Sequence, residues 1–216
     1  MAIFKKIVIG IIALLLVLIA IAFVLPASSH VERRITINAS PAKVFAVLRD
    51  FQQFNQWSPW ADIDPNVQYS YSGPIGDVGA KYDWRGNSAV GAGSQEITAL
   101  TPDQEIKIHL IFEGQGDAQV AYRLSADNGS TVIWSFDSEH GFNPLNRWFG
   151  LLLDGMIGGD YDKGLAKLKT YVESLPEQAA PSTPTEPSAM PAVDEGTETS
   201  DSAGEPPSED DATTEQ

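Results

Sequence analysis

The chain has 216 residues, no cysteine and a formal net charge of −15, which excludes disulfide frameworks, thiolate catalysis and Cys-type zinc sites. The charge is uneven: residues 177–216 hold 11 of the 29 acidic residues and neither Lys nor Arg, so the remainder carries about −4. A near-neutral body without a basic stripe lacks the electrostatic footprint of a nucleic-acid binder, so no nucleic acid is expected among its partners.

Three segments follow from composition. Ile7–Leu25 is a run of 19 uncharged, mostly aliphatic residues, about 28 Å as a helix, which matches the hydrocarbon core of a bilayer. Residues 1–28 therefore read as a single-pass anchor. A signal peptide cut near Ala27–Ser29 is the rival reading, and the run is long for one. Lys5 and Lys6 before the run favour a cytoplasmic N-terminus and an exported domain, in the manner of a bacterial inner-membrane protein facing the periplasm; Arg33 and Arg34 soon after it argue the other way. Residues 29–176 form one domain able to bury a core. Residues 177–216, rich in Pro, Glu, Ser, Thr and Ala, lack the apolar clusters that would repay ordering and are expected to stay unstructured.

Within the domain, Val31–Asn38 alternates as a strand. Ser40-Pro41 sets an N-cap and a first-turn proline for a helix carrying Val44, Phe45, Val47 and Leu48. Phe51, Phe54 and Trp57 share a face of a second short helix. Strands follow, with Tyr69 and Tyr71, Tyr82 and Trp84, Ile106 to Phe112, Val120 to Leu124, and Val132, Trp134 and Phe136 on their apolar sides; Gln95–Leu100 is a weaker candidate. Asp127-Asn128-Gly129 marks a hairpin. So many short alternating strands predict an antiparallel sheet with one dry face. At Asn143-Pro144 the period changes, and Leu145, Trp148, Phe149, Leu152, Met156, Leu165, Leu168 and Val172 predict one long helix to Glu173, breaking if anywhere near Gly158-Gly159. Five glycines inside it (150, 155, 158, 159 and 164) each cost about 1 kcal/mol against Ala. Bulky side chains on the sheet opposite a glycine-rich helix suit either plain interdigitation or a cavity.

The domain resembles the helix-grip superfamily of START domains, Bet v 1-type allergens and polyketide cyclase/dehydrase-like proteins over roughly residues 31–174. The likeness rests on Ser40-Pro41-Ala42-Lys43-Val44-Phe45 after the first strand, on Trp57-Ser58-Pro59-Trp60, and on Gly76-Asp77-Val78-Gly79-Ala80-Lys81-Tyr82-Asp83-Trp84. Gly91-Ala92-Gly93 with Ile97, and Asp162 to Lys169 in the last helix, complete five motifs in family order. The resemblance implies an α+β fold, an antiparallel sheet curved around a long C-terminal helix, with an apolar pocket between them. Its expected lining is Tyr69, Tyr71, Tyr82, Trp84, Phe112, Tyr122, Trp134, Phe136, Leu152 and Met156, and its expected ligand a lipid or other hydrophobic small molecule.

No catalytic constellation is present in the sequence. His30, His109 and His140 show no metal-ligand spacing, no nucleotide or nucleophile-elbow motif occurs, and neither metal nor cofactor is expected. Glu139, His140 and Arg147 are the polar groups near the expected pocket mouth, and Asp154 and Asp160 lie further along the helix; a carboxylate or Arg facing the pocket could serve a head group or an enzyme, whereas the usual place of such charges is the solvated face. Trp57 is expected to cap the core, and Trp60 to border the pocket entrance or touch the membrane interface. The leading expectation is binding, with transfer as an extension, of a hydrophobic small molecule by a membrane-anchored domain. A cyclase/dehydratase-type enzyme and a structural or regulatory envelope protein are the alternatives.

Overall fold

The computed structural model describes residues 1–176; the acidic segment expected to be unstructured lies outside them. The element order is α1 (Ala2–Ala22), β1 (Ser28–Ile37), α2 (Pro41–Leu48), α3 (Phe51–Trp57), a 3-10 turn (Pro59–Asp62), β2 (Gln68–Ser72), β3 (Lys81–Arg85), β4 (Ala92–Thr101), β5 (Glu105–Phe112), β6 (Gly116–Ala126), β7 (Ser130–Glu139), α4 (Pro144–Gly150) and α5 (Leu153–Ser174). The seven strands form one antiparallel sheet in the order β1-β7-β6-β5-β4-β3-β2. With α5 laid across it, this is the helix-grip α+β fold. α1 contains a 20-residue stretch, Ile3–Ala22, long and apolar enough to cross a bilayer.

Local chemistry sets the helix starts. Ser40 accepts from the Lys43 amide with Pro41 in the first turn, Asp50 accepts from the Gln52 amide at 2.9 Å, and Asn143 accepts from Leu145 at 3.0 Å. Each satisfies a donor that the first turn would otherwise leave orphaned. The C-terminal helix departs from the sequence expectation. It is interrupted at Leu151–Leu152 and not at Gly158-Gly159, giving the short α4 and the 22-residue α5.

The grip is one-sided. α5 packs chiefly on β1, the sheet edge. Arg33, on the inward face of β1, donates to Asp154 at 2.9 Å and Asp162 at 3.3 Å. Lys169 Nζ donates to the Thr36 carbonyl at 2.7 Å, and the Asn38 amide donates to Glu173 at 2.8 Å. That amide, ahead of Lys169, holds the Glu173 carboxyl below its ordinary range. The glycines allow this closeness: a Cβ on Gly158 would meet the Arg33 guanidinium, and one on Gly164 would stand 2.8 Å from the Trp134 ring. Gly155 and Gly159 face open space, and packing does not explain them.

Under α5 the core is aromatic. The Trp134 and Tyr161 rings stack at 3.8 Å, and Trp57, Trp60 and Tyr122 stand around Trp134 at 5.6, 5.9 and 5.4 Å. Trp57 is fully buried, as its expected capping role requires. Trp60 packs edge-on against Trp134 and Tyr161. Burial is the main cause that pushes the Tyr122, Tyr161 and Tyr82 phenols well up. Below pH 10, near the ordinary phenol value, these groups are protonated folded or unfolded and add no pH dependence to stability. Above it only the unfolded chain sheds their protons, so stability falls as pH rises. Absorbance titration should therefore show these tyrosines ionising together with loss of the far-UV signal; independent ionisation near pH 10 in a folded chain would contradict their burial.

Candidate functional site

Away from the β1 edge, the inward face is covered in part by α3, whose Phe51 and Phe54 rings stand 5.9 and 5.7 Å from that of Tyr82. Strand register places Tyr69, Trp84, Gly93 and Phe112 in one cross-strand row, and Tyr71, Tyr82, Gln95, Leu110 and Ala118 in the next. The rings form a ladder: Tyr69 and Trp84 each stack with Tyr82, at 5.5 and 6.0 Å, and Phe112 meets Trp84 edge-on at 5.9 Å. Tyr82 is buried, Tyr69, Trp84 and Phe112 are half-buried, and Tyr71 is 41 % exposed. The Trp84 ring lies across Gly93, where a Cβ would come within 2.5 Å of it. Asn55 of α3 trims the far end, accepting from the Tyr82 hydroxyl at 3.2 Å and donating to that of Tyr71 at 3.3 Å.

One polar group sits behind this ladder. Gln95 is 8 % exposed, flanked in its row by Tyr82 and Leu110. Its amide makes no hydrogen bond among the described residues. An amide so placed can both donate and accept; unlike Trp57 Nε1, Trp134 Nε1 and Ser135 Oγ, it is not fully sealed from the space beside it. The sequence reading passed over it because the β-bulge between Ile97 and Ala99 interrupts the alternation of β4.

The ten residues expected to line a pocket therefore separate. Tyr69, Tyr71, Tyr82, Trp84 and Phe112 come together in the ladder. Tyr122, Trp134 and Phe136 are buried in the solid core, where the resemblance implied open space. Leu152 and Met156 lie on the outside, 59 and 52 % exposed: the interruption after Gly150 starts α5 afresh, so apolar residues of its first turn no longer continue the buried stripe.

The polar candidates near the expected mouth are engaged elsewhere. His140 Nε2 is 2.7 Å from Ser29 Oγ, which also donates to the Gly150 carbonyl at 3.1 Å, tying the end of α4 to the start of β1. Arg147, buried in spite of its charge, donates through Nη1 to the carbonyls of Phe23 and Leu25 at 3.3 and 3.1 Å and through Nε to Gly141 at 2.8 Å. Its guanidinium also lies 5.6 Å from the Phe23 ring centroid. Asp154 pairs with Arg33, Asp160 with Lys163 at 3.3 Å, and Glu139 ends β7 on the surface. Among the described residues, no cluster of acidic and imidazole groups has metal-binding geometry. A hollow of about 530 Å³ borders the same row from the outward side of β2–β5, lined by Ser70, Asp83, Ser94 and Glu113 together with Tyr69, Trp84 and Gly93 of the ladder.

Comparison with known proteins bears on this geometry. A family model described as polyketide cyclase / dehydrase and lipid transport matches residues 28–173. No curated protein matches the chain. Among solved structures, a protein from Rhodobacter sphaeroides is 12% identical, with 68% of this chain and 94% of that one covered at a TM-score of 0.51. Ara h 8.0201 is 17% identical over 68% of this chain and 99% of its own, TM-score 0.49. The Aha1 dimer from Colwellia psychrerythraea is 20% identical over 67% and 96%, TM-score 0.46.

Proposed function

The chain belongs to the polyketide cyclase / dehydrase and lipid transport family, and from that premise we propose that it is a membrane-anchored binding protein for a hydrophobic small molecule or lipid, held against the ladder of Tyr69, Tyr82, Trp84 and Phe112. The observation that carries this reading is the pairing of a half-exposed inward aromatic wall with the unpartnered Gln95 amide. Stacked rings supply apolar area with little side-chain entropy to lose, and one buried amide orients a ligand that carries a polar group. In this reading α1 spans the membrane, Lys5 and Lys6 stay cytoplasmic and the domain is exported. Transfer of the ligand between membranes is a natural extension of such a site. The cyclase/dehydratase alternative has less support, since Glu139, His140, Arg147 and Asp154 are all held away from the ladder. The packed Trp134–Tyr161 centre favours the structural or regulatory reading as second choice.

Native mass spectrometry of the full chain, extracted gently from its host membrane, tests the proposal. A reproducible bound mass is expected, with Gln95→Leu weakening it about tenfold, the worth of one buried hydrogen bond of about 1–1.5 kcal/mol. A clean apo mass with no uptake from a total lipid extract would move the conclusion to the structural reading.

A further inference from the structure

The stretch from Phe142 through α4 to the first turn of α5 holds the densest run of exposed large apolar groups in the domain. Phe142, Leu145, Phe149, Leu151, Leu152 and Met156 are all exposed, the first two at 84 and 76 %. They do not face solvent at random. α4 packs alongside the C-terminal end of α1, and two side chains fasten it there. Arg147 holds the Phe23 and Leu25 carbonyls, and Trp148 Nε1 donates to the Leu18 carbonyl at 3.2 Å. Leu18 lies about 7 Å below Phe23 along a helix, which is the depth at which interfacial helices bury their apolar face.

The charges of this segment point the same way. Between residues 142 and 157 the charged side chains are Arg147 and Asp154. The first is turned inward onto α1, and the second is paired with Arg33. Apart from the Asp154 carboxylate, whose side chain is 64% exposed and whose charge Arg33 offsets, the outward surface is apolar or uncharged, continuous with α1, and carries a tryptophan at the level where Trp is favoured. We infer that α4 and the first turn of α5 are seated in the bilayer interface, locked to the outer end of the α1 span by Arg147, so that the domain sits on the membrane at one fixed angle. The occupant of this face is lipid. The inference rests on reading α1 as a membrane span.

The absence of native cysteine makes the test direct. Single variants Leu145→Cys, Leu152→Cys, Ile111→Cys on the outward face of β5, and Leu15→Cys within α1 are labelled with an environment-sensitive fluorophore. The full chain is placed in phosphatidylcholine–phosphatidylglycerol vesicles doped with lipids spin-labelled at shallow or deep positions. Expected are blue-shifted emission and several-fold quenching by shallow spin labels at 145 and 152, deep quenching at 15, and an aqueous signal at 111. Quenching at 15 with aqueous signals at 145 and 152 would overturn the seating and leave the span intact. Blue-shifted but unquenched labels at 145 and 152 would overturn it in favour of a second copy of the chain. No quenching at 15 would remove the span and the seating together.

Discussion

Trp57→Ala is expected to destabilise the domain by about 3–5 kcal/mol, the range for deleting a fully buried large aromatic and leaving a cavity. Trp57 is fully buried and meets three rings edge-on: Phe54 at 4.9 Å, Trp134 at 5.6 Å and Tyr122 at 6.1 Å. It joins α3 to the sheet, and the three rings around it are themselves held in the aromatic core. Against a typical stability of 5–15 kcal/mol the loss is large. Trp57→Phe should cost far less than the size change implies. The Trp57 indole N–H is buried without a partner, and phenylalanine removes that unpaired donor together with its desolvation penalty. Urea unfolding of the full chain in detergent, followed by far-UV circular dichroism, reads both values. Equal costs for Ala and Phe would mean that the N–H is satisfied and that the ring packs less tightly than its neighbours indicate.

How much of this was legible beforehand depends on what periodicity can carry. Strand faces were legible: Tyr69, Tyr82, Trp84, Phe112, Trp134 and Phe136 point inward as their alternation predicts, because a period of two leaves little choice once one face is dry. Helix starts were legible through Ser40-Pro41 and Asn143-Pro144, since caps and first-turn prolines act locally. The interruption at Leu151–Leu152 was not. It falls in a continuous apolar run, Trp148 to Leu153, that contains no proline, and the one glycine there, Gly150, precedes the break. Leu145 consequently falls on the expected inward stripe, and Leu152 and Met156 in the expected pocket lining, because helical spacing records which residues avoid water and not what covers them. Arg33 was equally hidden: an inward arginine is tolerable only beside Asp154 and Asp162, and those carboxylates lie more than a hundred residues away in the chain. Arg147 escaped for the same reason, as its partners are backbone carbonyls of α1, which no side-chain pattern announces.

Gly93→Val is expected to abolish ligand binding and to destabilise the domain by about 1–3 kcal/mol, the usual cost of overpacking. Two contacts make the position unforgiving. A Cβ there would run into the Ile111 carbonyl of the neighbouring strand, and into the six-membered ring of Trp84 at 2.5 Å. The carbonyl is backbone and cannot step aside without bending β5. The Trp84 ring can, but only by leaving the inward face, where it is stacked on Tyr82 and met by Phe112. The substitution thus breaks the ladder in the row of Tyr69, Trp84 and Phe112 while leaving the Trp134–Tyr161 core untouched. Gly93→Ala should give the same pattern more weakly, with binding lost to a greater extent than stability. The check is a pair of measurements on one preparation: urea midpoint for the fold, and bound-ligand occupancy by native mass spectrometry for the site. A variant that unfolds earlier yet keeps full occupancy would show that the ligand does not depend on Trp84, and would direct the search to another face of the domain. A stable variant with empty spectra would tie binding to the ladder, because the one ring displaced is the one the proposal requires.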